Sequence, residues 1–307
     1  MRDPELDLVF GYLEELDPLG ERFDRVIRGT FDQLYDGQRT GRYDPRDLYK
    51  TERTHCGTLI EINTHREFRF GNGAVLDYLI EGTEVDCKYS QTLGGWMIPP
   101  EALGHLCLVV TASDTRSLFW VGIVRVQPEL LNEGRNRDQK RSLNVEGRRS
   151  IRWLHYERPL TENLLLQLSE EERYEIVARY PGRNGQRRIN ELFRRVQGRV
   201  ITRTVVATVA QQDDYMKRVR GNGGARSHLR EEGIVILGDY QAHQRVARDL
   251  GIVEPRAGGF VSVRLVPADE PGPAQTELDG RLWRVADPGD PVVEAPLLPD
   301  VRRGASE

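Results

Sequence analysis

The sequence has few cysteines, and their arrangement provides neither a disulfide framework nor a zinc site. The three are Cys56, Cys87 and Cys107, an odd number without paired spacing. Disulfide scaffolds of secreted proteins use an even set of cysteines, and structural zinc sites use closely spaced pairs. We therefore expect free thiols in a reducing cytoplasm.

Long apolar runs and a secretory signal are also lacking. No apolar run approaches the roughly 20 residues that cross a membrane, and "MRDPELDLVF" lacks the basic and then apolar order of a secretory signal. The six histidines show no metal-ligand spacing. The length of 307 residues and a hydrophobic content of 38% favour two globular domains with ordinary cores.

Charge is present in both signs but is unevenly distributed. The formal net charge is −4, yet residues 181–230 contain twelve Lys or Arg against three Asp or Glu, a balance of +9. Residues 131–158 contain eight against four, a balance of +4. Concentrated basic stretches in an acidic chain indicate a polyanion site, such as one for nucleic acid. A solvated, arginine-rich helical face explains the same charge equally well.

The stretch "LYDGQR", residues 34–39, resembles the K-x-D-G-x-R centre of DNA ligases, but Leu34 stands where the ligases have their lysine. A leucine has no nitrogen that can attack phosphorus, which argues against a nucleotidyltransferase. Apolar residues recur at helical spacing through residues 5–35, with a break at Pro18–Gly20. The structural alternative is therefore a core leucine at the end of a helix that Asp36–Gly37 terminates.

Helices and strands alternate in a pattern that predicts an α/β (α+β) fold. A helix is predicted over residues 58–70, followed by strands at 74–80, 83–90, 105–112 and 118–126. Periodicity weakens around Pro159, where we place a domain boundary. The predicted organisation is a first domain at 1–153, a linker at 154–162 and a second domain at 163–307.

The first strand pair could carry chemistry. With Glu81–Gly82 as the turn, Asp77 lies opposite Asp86, and Lys88 shares the face of Asp86. Opposed residues have Cβ atoms roughly 4.5–5.5 Å apart, so the two carboxylates repel unless a cation such as Mg²⁺ lies between them. Metal-dependent nucleases use such an Asp…Asp-x-Lys set. A solvent-facing polar edge of a hairpin is the alternative.

Glu61 has two interpretations at this point. It could add a metal-binding oxygen from the helix that precedes the hairpin. It could equally be the partner of Thr58 in a capping box, since the spacing of the two residues fits one.

The basic second half could hold DNA. Helices predicted at 189–196 and 202–219, split by Gly198, could form a helix-turn-helix; a helical hairpin with a charged face is the alternative. The basic residues expected to face a duplex are Arg194, Arg195, Arg199, Arg203, Lys217, Arg218, Arg220 and Arg226.

Several long blocks resemble the NaeI-type (type IIE) restriction endonucleases. These blocks are "DQLYDGQRTGR", "KTERTHCGTLIEINTHREFRFGNG", "VDCK", "WMIPPE", "NELFRRVQGR", "VATVAQQDDYMKRVRGNGGARS" and "PGDPVVEAP". The resemblance covers most of the chain and is weakest in the first ten residues, in 128–188 and in the tail. Members of that family also carry leucine in the ligase-like stretch.

The resemblance implies a Mg²⁺-dependent homodimer of a restriction-modification system that cuts double-stranded DNA. It implies a restriction-endonuclease-like αβ core, and a C-terminal helix-turn-helix domain like that of the catabolite activator, which binds a second DNA copy as effector. The implied catalytic residues are Glu61, Asp77, Asp86 and Lys88, and the three acids would hold the metal. The implied site is a GC-rich palindrome, GCCGGC by analogy. The rival hypothesis is a DNA-binding regulator with an inactive nuclease-like core.

Overall fold

The computed structural model describes residues 3–256 and 258–299, which form two compact units. Unit 1 comprises residues 3–35 and Asp44–Leu166. Unit 2 comprises Asp36–Tyr43 and the described residues from Gln167 onwards. The chain therefore contributes a short N-terminal segment to unit 2 before it returns to unit 1.

These units differ from the predicted domains. Residues 154–159, predicted as linker, belong to a strand that spans Arg152–Pro159 and pairs with the sheet of unit 1. From Asp44 the chain stays in unit 1 until Leu166 and then returns to unit 2. The predicted linker at 154–162 therefore lies within unit 1. Residues 257 and 300–307 of the predicted second domain lie outside the described residues.

The secondary structure is mixed, as the predicted α+β class requires. The α-helices among the described residues are α1 Pro4–Leu16, α2 Glu21–Tyr35, α3 Gly37–Thr40, α4 Lys50–Phe68, α5 Val145–Arg149, α6 Glu170–Arg173, α7 Gly185–Arg195, α8 Arg203–Ala210, α9 Ala225–His228 and α10 Gln241–Asp249. The strands are β1 Gly71–Asn72, β2 Tyr78–Ile80, β3 Thr83–Ser90, β4 Leu106–Ser113, β5 Leu118–Arg125, β6 Arg152–Pro159, β7 Ile234–Gly238, β8 Phe260–Pro267, β9 Gln275–Leu278 and β10 Arg281–Val285. Within that part of the chain, no helix is both long and apolar enough to cross a membrane.

Each unit contains one sheet. The sheet of unit 1 has the strand order β1-β2-β3-β4-β5-β6, and only its β3–β4 pair is parallel. The sheet of unit 2 has the order β7-β8-β10-β9 and is antiparallel. Both faces of the first sheet are covered. One face packs against α1, α2 and α4, and the other packs against apolar residues of 96–102 and 126–151.

The first two helices follow the sequence pattern. α1 ends at Leu16, and the carboxylate of Asp17 accepts hydrogen bonds from the backbone N–H groups of Arg22 and Phe23 at the start of α2. Leu34 is buried in the core, and Asp36 after α2 adopts a left-handed backbone with φ 45°. The prediction of a core leucine followed by a helix terminator is confirmed.

The third long helix differs from its prediction at both ends. α4 begins at Lys50, where Glu52 accepts a hydrogen bond from the backbone N–H of Tyr49. It ends at Phe68 because Arg69 adopts a left-handed backbone with φ 57°. The predicted capping box of Thr58 and Glu61 is therefore wrong. Glu61 lies in the interior of α4, with its side chain free for another role.

The hairpin turn and its register are confirmed. Ile80 pairs with Thr83, and both turn residues have positive φ, 48° at Glu81 and 75° at Gly82. β2 is shorter than the predicted strand 74–80. The reason is Glu84, whose carboxylate accepts hydrogen bonds from the backbone N–H groups of residues 74–76 and holds them in a loop.

In unit 2 the two predicted helices are present but differ in extent. α8 ends at Ala210, where Gln211 turns left-handed with φ 51°, and a 3-10 turn follows at Tyr215–Arg218. The connection between α7 and α8 is tied to the sheet through bridges from Gln197 and Ile201 to β8. The helix-turn-helix assignment remains a prediction.

Candidate active site

Strand β3 brings two of the predicted catalytic residues together. Alternation along the strand buries Val85 and Cys87 in the helix-side core and places Asp86 and Lys88 on the other face. The Lys88 ammonium donates a hydrogen bond of 2.6 Å to Asp86 Oδ1 and one of 2.8 Å to the Cys87 carbonyl oxygen. Lys88 Nζ also lies 3.5 Å from Asp77 Oδ2.

Asp77 lies one residue before β2, in the position opposite Asp86 if the register of the hairpin is continued. The ladder itself ends at the Tyr78–Val85 pair. The Asp77 carboxylate accepts a hydrogen bond of 2.7 Å from the backbone N–H of Cys87. This bond holds Asp77 against β3, so that both aspartates contact the same ammonium.

Glu61 approaches this group from α4. Burial and the nearby charge of Asp77 raise the pKa of the Glu61 carboxyl, while Lys88 lowers it. Tyr78, next to Asp77 in the chain, donates its hydroxyl to the Glu61 carbonyl oxygen at 2.8 Å. Tyr78 is not among the site residues predicted from the sequence. The available signal in the sequence was the position of Tyr78 on the inward face of its strand. A buried tyrosine hydroxyl there needs a hydrogen-bond partner.

The buried carboxyl of Asp86 dominates the electrostatics. Its pKa is raised to about 6 by burial, although the charge and hydrogen bond of Lys88 act in the opposite direction. Burial alone would lower the pKa of Lys88, but Asp86 and Asp77 together raise it well above its ordinary value. If the ion pair with Lys88 were the only influence, it would lower the pKa of Asp86. We attribute the raised value to desolvation, because the Asp86 side chain is only 4% exposed.

The three thiols are free, as predicted, and all three are buried. Cys107 pairs with Asp86 across the parallel β3–β4 ladder, and its sulfur lies 3.8 Å from Asp86 Oδ2. Burial raises the pKa of the Cys56 and Cys87 thiols to about 12. None of the thiols is therefore suited to act as a thiolate nucleophile at neutral pH.

The residues of this cluster suit a divalent cation, although they do not form a preassembled cage. In the described part of the chain, no three Asp, Glu, His or Cys side chains are grouped so that they could hold a metal ion. Asp77 and Asp86 nevertheless contact one ammonium, so a single cation could reach both. Carboxylate oxygens are hard ligands, and Mg²⁺ typically takes only one or two of them and fills its other positions with water and phosphate.

Three of the basic residues predicted to face DNA are engaged within unit 2. Arg194 forms two hydrogen bonds of 2.6 Å with the carboxylate of Glu232. Arg195 contacts Glu191 at 3.1 Å and Glu175 at 3.2 Å. Arg226 is half-buried and donates to the Ile236 carbonyl oxygen at 2.9 Å. Arg195 is exposed and the other two are half-buried, and all three guanidinium groups already contact protein acceptors, whereas a DNA-facing role predicts groups open to solvent.

The other five predicted basic residues differ in exposure. Arg203, Lys217 and Arg220 are exposed, whereas Arg199 and Arg218 are half-buried. Arg218 Nη2 lies 3.2 Å from Asp214 Oδ1. Besides Arg195 on α7, the exposed cations of this set therefore lie at the start of α8 and in the segment that follows it.

Arg188 shows why the charge balance overstates the exposed charge. Its side chain is 1% exposed and lies in the core of unit 2. The guanidinium donates to the carbonyl oxygens of Val209 and Ala210, at 2.6 and 2.7 Å. These carbonyls lack helical partners at the C-terminus of α8, so Arg188 caps that helix.

Comparison with known proteins gives two matches that span both units. The family model described as "Restriction endonuclease NaeI" matches residues 7–294. The type II restriction enzyme NaeI of Lentzea aerocolonigenes is 54% identical over 303 residues, which cover 97% of this chain and 95% of that protein. The matched range includes the acidic cluster with Lys88 and the basic segments of unit 2.

Proposed function

The chain belongs to the NaeI family of restriction endonucleases, and we propose from this that it is a type II site-specific deoxyribonuclease that hydrolyses phosphodiester bonds of double-stranded DNA. The observation that carries the proposal is the Asp77–Lys88–Asp86 contact beside Glu61. Unit 1 is then the endonuclease domain, with a restriction-endonuclease-like core.

The cofactor of the proposed reaction is Mg²⁺, which Asp77, Asp86 and Glu61 would hold. A bound divalent metal acidifies water and neutralises charge that develops on the phosphate. Lys88 donates to Asp86 in the structure. When DNA is bound, we propose that the ammonium turns toward a non-bridging phosphate oxygen and stabilises the charge of the transition state. Tyr78 holds the backbone of Glu61 against β2 throughout.

Unit 2 is proposed to be the DNA-binding effector domain, with a helix-turn-helix like that of the catabolite activator. Its accessible cations support this proposal, because phosphate contacts supply most of the affinity for DNA. Arg203, Lys217 and Arg220 are exposed, and Arg199 and Arg218 lie partly within reach. The remaining three, Arg194, Arg195 and Arg226, would first have to exchange their protein partners for phosphates.

The oligomeric state, the recognition site and the second DNA copy are proposed by analogy with the NaeI family. We propose a homodimer that belongs to a restriction-modification system. The recognition site is a GC-rich palindrome, GCCGGC by analogy. One DNA copy is the substrate, and a second copy is bound as the effector.

The test is incubation of the protein with plasmid DNA and Mg²⁺. Discrete fragments are expected from a site-specific endonuclease. Binding without cutting would instead indicate a DNA-binding regulator with an inactive nuclease-like core. Nucleotide-labelled protein would indicate a nucleotidyltransferase, which the buried Leu34 argues against because it offers no nitrogen for covalent catalysis.

A further inference from the structure

A basic hairpin extends from unit 1 between β5 and β6. Its base is fixed by a β-bridge between Leu131 and Leu143 and by a hydrogen bond of 2.9 Å from the backbone N–H of Asn132 to the Ser142 carbonyl oxygen. Leu131 and Leu143 are both buried. We call the segment 132–142 the basic hairpin. Two buried apolar side chains therefore anchor its base.

The tip of the basic hairpin has a defined conformation. The backbone N–H of Asn136 donates to the Lys140 carbonyl oxygen at 3.0 Å. The Asn136 side chain accepts hydrogen bonds of 2.9 Å from the backbone N–H groups of Asp138 and Lys140. Asparagine commonly organises turns in this way. The tip is thus a turn that backbone and Asn136 hydrogen bonds close.

The cations of the basic hairpin divide into an anchor and an outer group. The guanidinium of Arg141 turns back and donates to the carbonyl oxygens of Asn132 and Leu131, at 2.6 and 3.1 Å. Arg135 and Arg137 are exposed, and Lys140 is half-buried. Residues 132–142 carry four basic and two acidic side chains, a formal charge of +2, which is +1 without the anchored Arg141.

The strand register places the basic hairpin near the acidic cluster. Asp86 pairs with Cys107 on β4, and Cys107 pairs with Val124 near the end of β5. The hairpin follows that end of β5, after Arg125. The two buried leucines that flank it, Leu131 and Leu143, belong to the apolar cluster that contains Cys107. The hairpin is therefore rooted on the sheet face that carries Asp86.

We propose that the basic hairpin enters the major groove of the substrate duplex and that Arg135 and Arg137 read bases there. This inference rests on the proposed function, since the acidic cluster needs a duplex held next to it. The major groove is wide enough to admit elements as large as an α-helix, and arginine pairs with guanine O6 and N7 through two hydrogen bonds. The chemistry that fits the hairpin is therefore a guanine-containing duplex.

The matched control is Arg116. It is an exposed arginine in the same unit, at the turn between β4 and β5, and its Nη2 lies 3.9 Å from Glu157 Oε1. β5 runs from this turn toward the basic hairpin, so Arg116 lies at the opposite end of the sheet. Replacing Arg116 removes one exposed arginine, against two in the hairpin variant tested below, without touching the proposed interface.

The first experiment measures kcat/KM on the cognate duplex and on duplexes with one base pair changed, at saturating effector DNA. For the double variant Arg135→Ala and Arg137→Ala, we expect a loss of about 10- to 100-fold on the cognate duplex and a smaller loss on changed duplexes, because each bidentate pair discriminates between bases. Arg116→Ala should stay within about twofold of the wild type. A uniform loss on every duplex would overturn base reading by the hairpin.

The second experiment does not depend on cleavage. The wild-type protein is treated with phenylglyoxal, with and without duplex DNA in Ca²⁺, and the modified arginines are located by mass spectrometry. We expect DNA to protect Arg135 and Arg137 but not Arg116. Cleavage without this protection would sink the hairpin proposal alone, whereas protection without cleavage in Mg²⁺ would sink only the nuclease proposal.

Discussion

Tyr78 donates its hydroxyl hydrogen to the Glu61 carbonyl oxygen at 2.8 Å, and it adjoins Asp77 in the chain. The tyrosine is fully buried. One hydrogen bond thus joins the helix that carries Glu61 to the strand that follows Asp77. Errors of about 1 Å in such groups can cost about 100-fold in rate.

The change Tyr78→Phe keeps the ring and removes this bond. We expect a fall in unfolding free energy of about 1–3 kcal/mol, because the carbonyl loses a buried partner. We also expect kcat to fall about 10- to 100-fold, with the Kd for DNA unchanged and more Mg²⁺ needed for half-maximal rate. Single-turnover cleavage over a range of Mg²⁺ concentrations measures these changes.

Tyr35→Phe is the matched control, because Tyr35 is also buried and donates to Asp114 Oδ2 at 2.7 Å. It should lose comparable stability but retain its Mg²⁺ dependence. If the two variants show the same loss of rate and the same Mg²⁺ dependence, Tyr78 does not position the site.

Lys88→Met should abolish cleavage and leave binding of DNA in Ca²⁺ largely intact. The substitution removes an ammonium that contacts both Asp77 and Asp86, while it keeps most of the side-chain volume. Breaking a buried pair leaves an unpaired charge and costs about 3–5 kcal/mol. Urea unfolding and plasmid cleavage at neutral pH measure the two effects. Cleavage at near wild-type rate would exclude Lys88 from the site.

Gly37 in the ligase-like stretch is predicted to have a packing role in unit 2. A Cβ at this position would overlap the hydroxyl of Thr208 on α8. Gly37→Ala should therefore destabilise the protein by about 1–3 kcal/mol. Thr208→Ala removes the atoms that collide most closely, so the double variant should recover part of the loss. Additive losses in urea unfolding would show that the two positions are not coupled.

Unfolding should depend on pH through His243. This buried side chain accepts a hydrogen bond of 3.0 Å from the backbone N–H of Gly238, and burial together with Arg226 lowers its pKa to about 4. The folded state takes up the proton less readily than the unfolded state, whose pKa is about 6.5. The contribution to stability is complete above pH 6.5 and is lost as pH falls toward 4.

Between pH 7.5 and 4.5, the wild type should lose about 2–3 kcal/mol more unfolding free energy than His243→Gln. His228→Gln is the control, because His228 is exposed, and it should follow the wild type. Equal losses in the wild type and His243→Gln would contradict the burial of a neutral imidazole.

A second DNA site should stimulate cleavage if unit 2 binds an effector copy. A plasmid with one site is then cut slowly, and a short duplex carrying the site accelerates cutting. A coupling free energy of about 1–3 kcal/mol corresponds to about 5- to 150-fold. Replacing Arg199 and Arg203 with alanine should weaken the stimulation more than the residual cutting, and should flatten the salt dependence of effector binding. Equal rates on one-site and two-site plasmids would remove the effector role.

Local sequence rules predicted the hairpin because its register depends only on a two-residue turn and on strict alternation. Those rules predicted that Asp77, Asp86 and Lys88 lie close together, and in the structure the Lys88 ammonium contacts both aspartates. They assumed that a metal must separate the aspartates, whereas the Lys88 ammonium contacts both. Whether a metal ion or the Lys88 ammonium relieves the repulsion depends on how far the lysine side chain reaches. The spacing of the residues in the sequence does not determine this.

Sequence rules failed where distant segments decide the outcome. The count of basic residues in 181–230 includes Arg188 as if it were a surface charge. Its guanidinium instead lies in the core and caps α8. Likewise, strand β6 was predicted as a linker because its pairing partner β5 lies far away in the sequence. Long-range partners of this kind leave no local periodic signal.

The most direct test compares plasmid cleavage by the wild type and by Asp86→Asn in Mg²⁺. The substitution preserves the size of a nearly buried side chain and removes the charge that holds Lys88 and the proposed metal. DNA binding in Ca²⁺ and circular dichroism serve as controls for folding. We expect discrete fragments from the wild type, and no cutting by a variant that still folds and binds. Cutting by Asp86→Asn at the wild-type rate would contradict it.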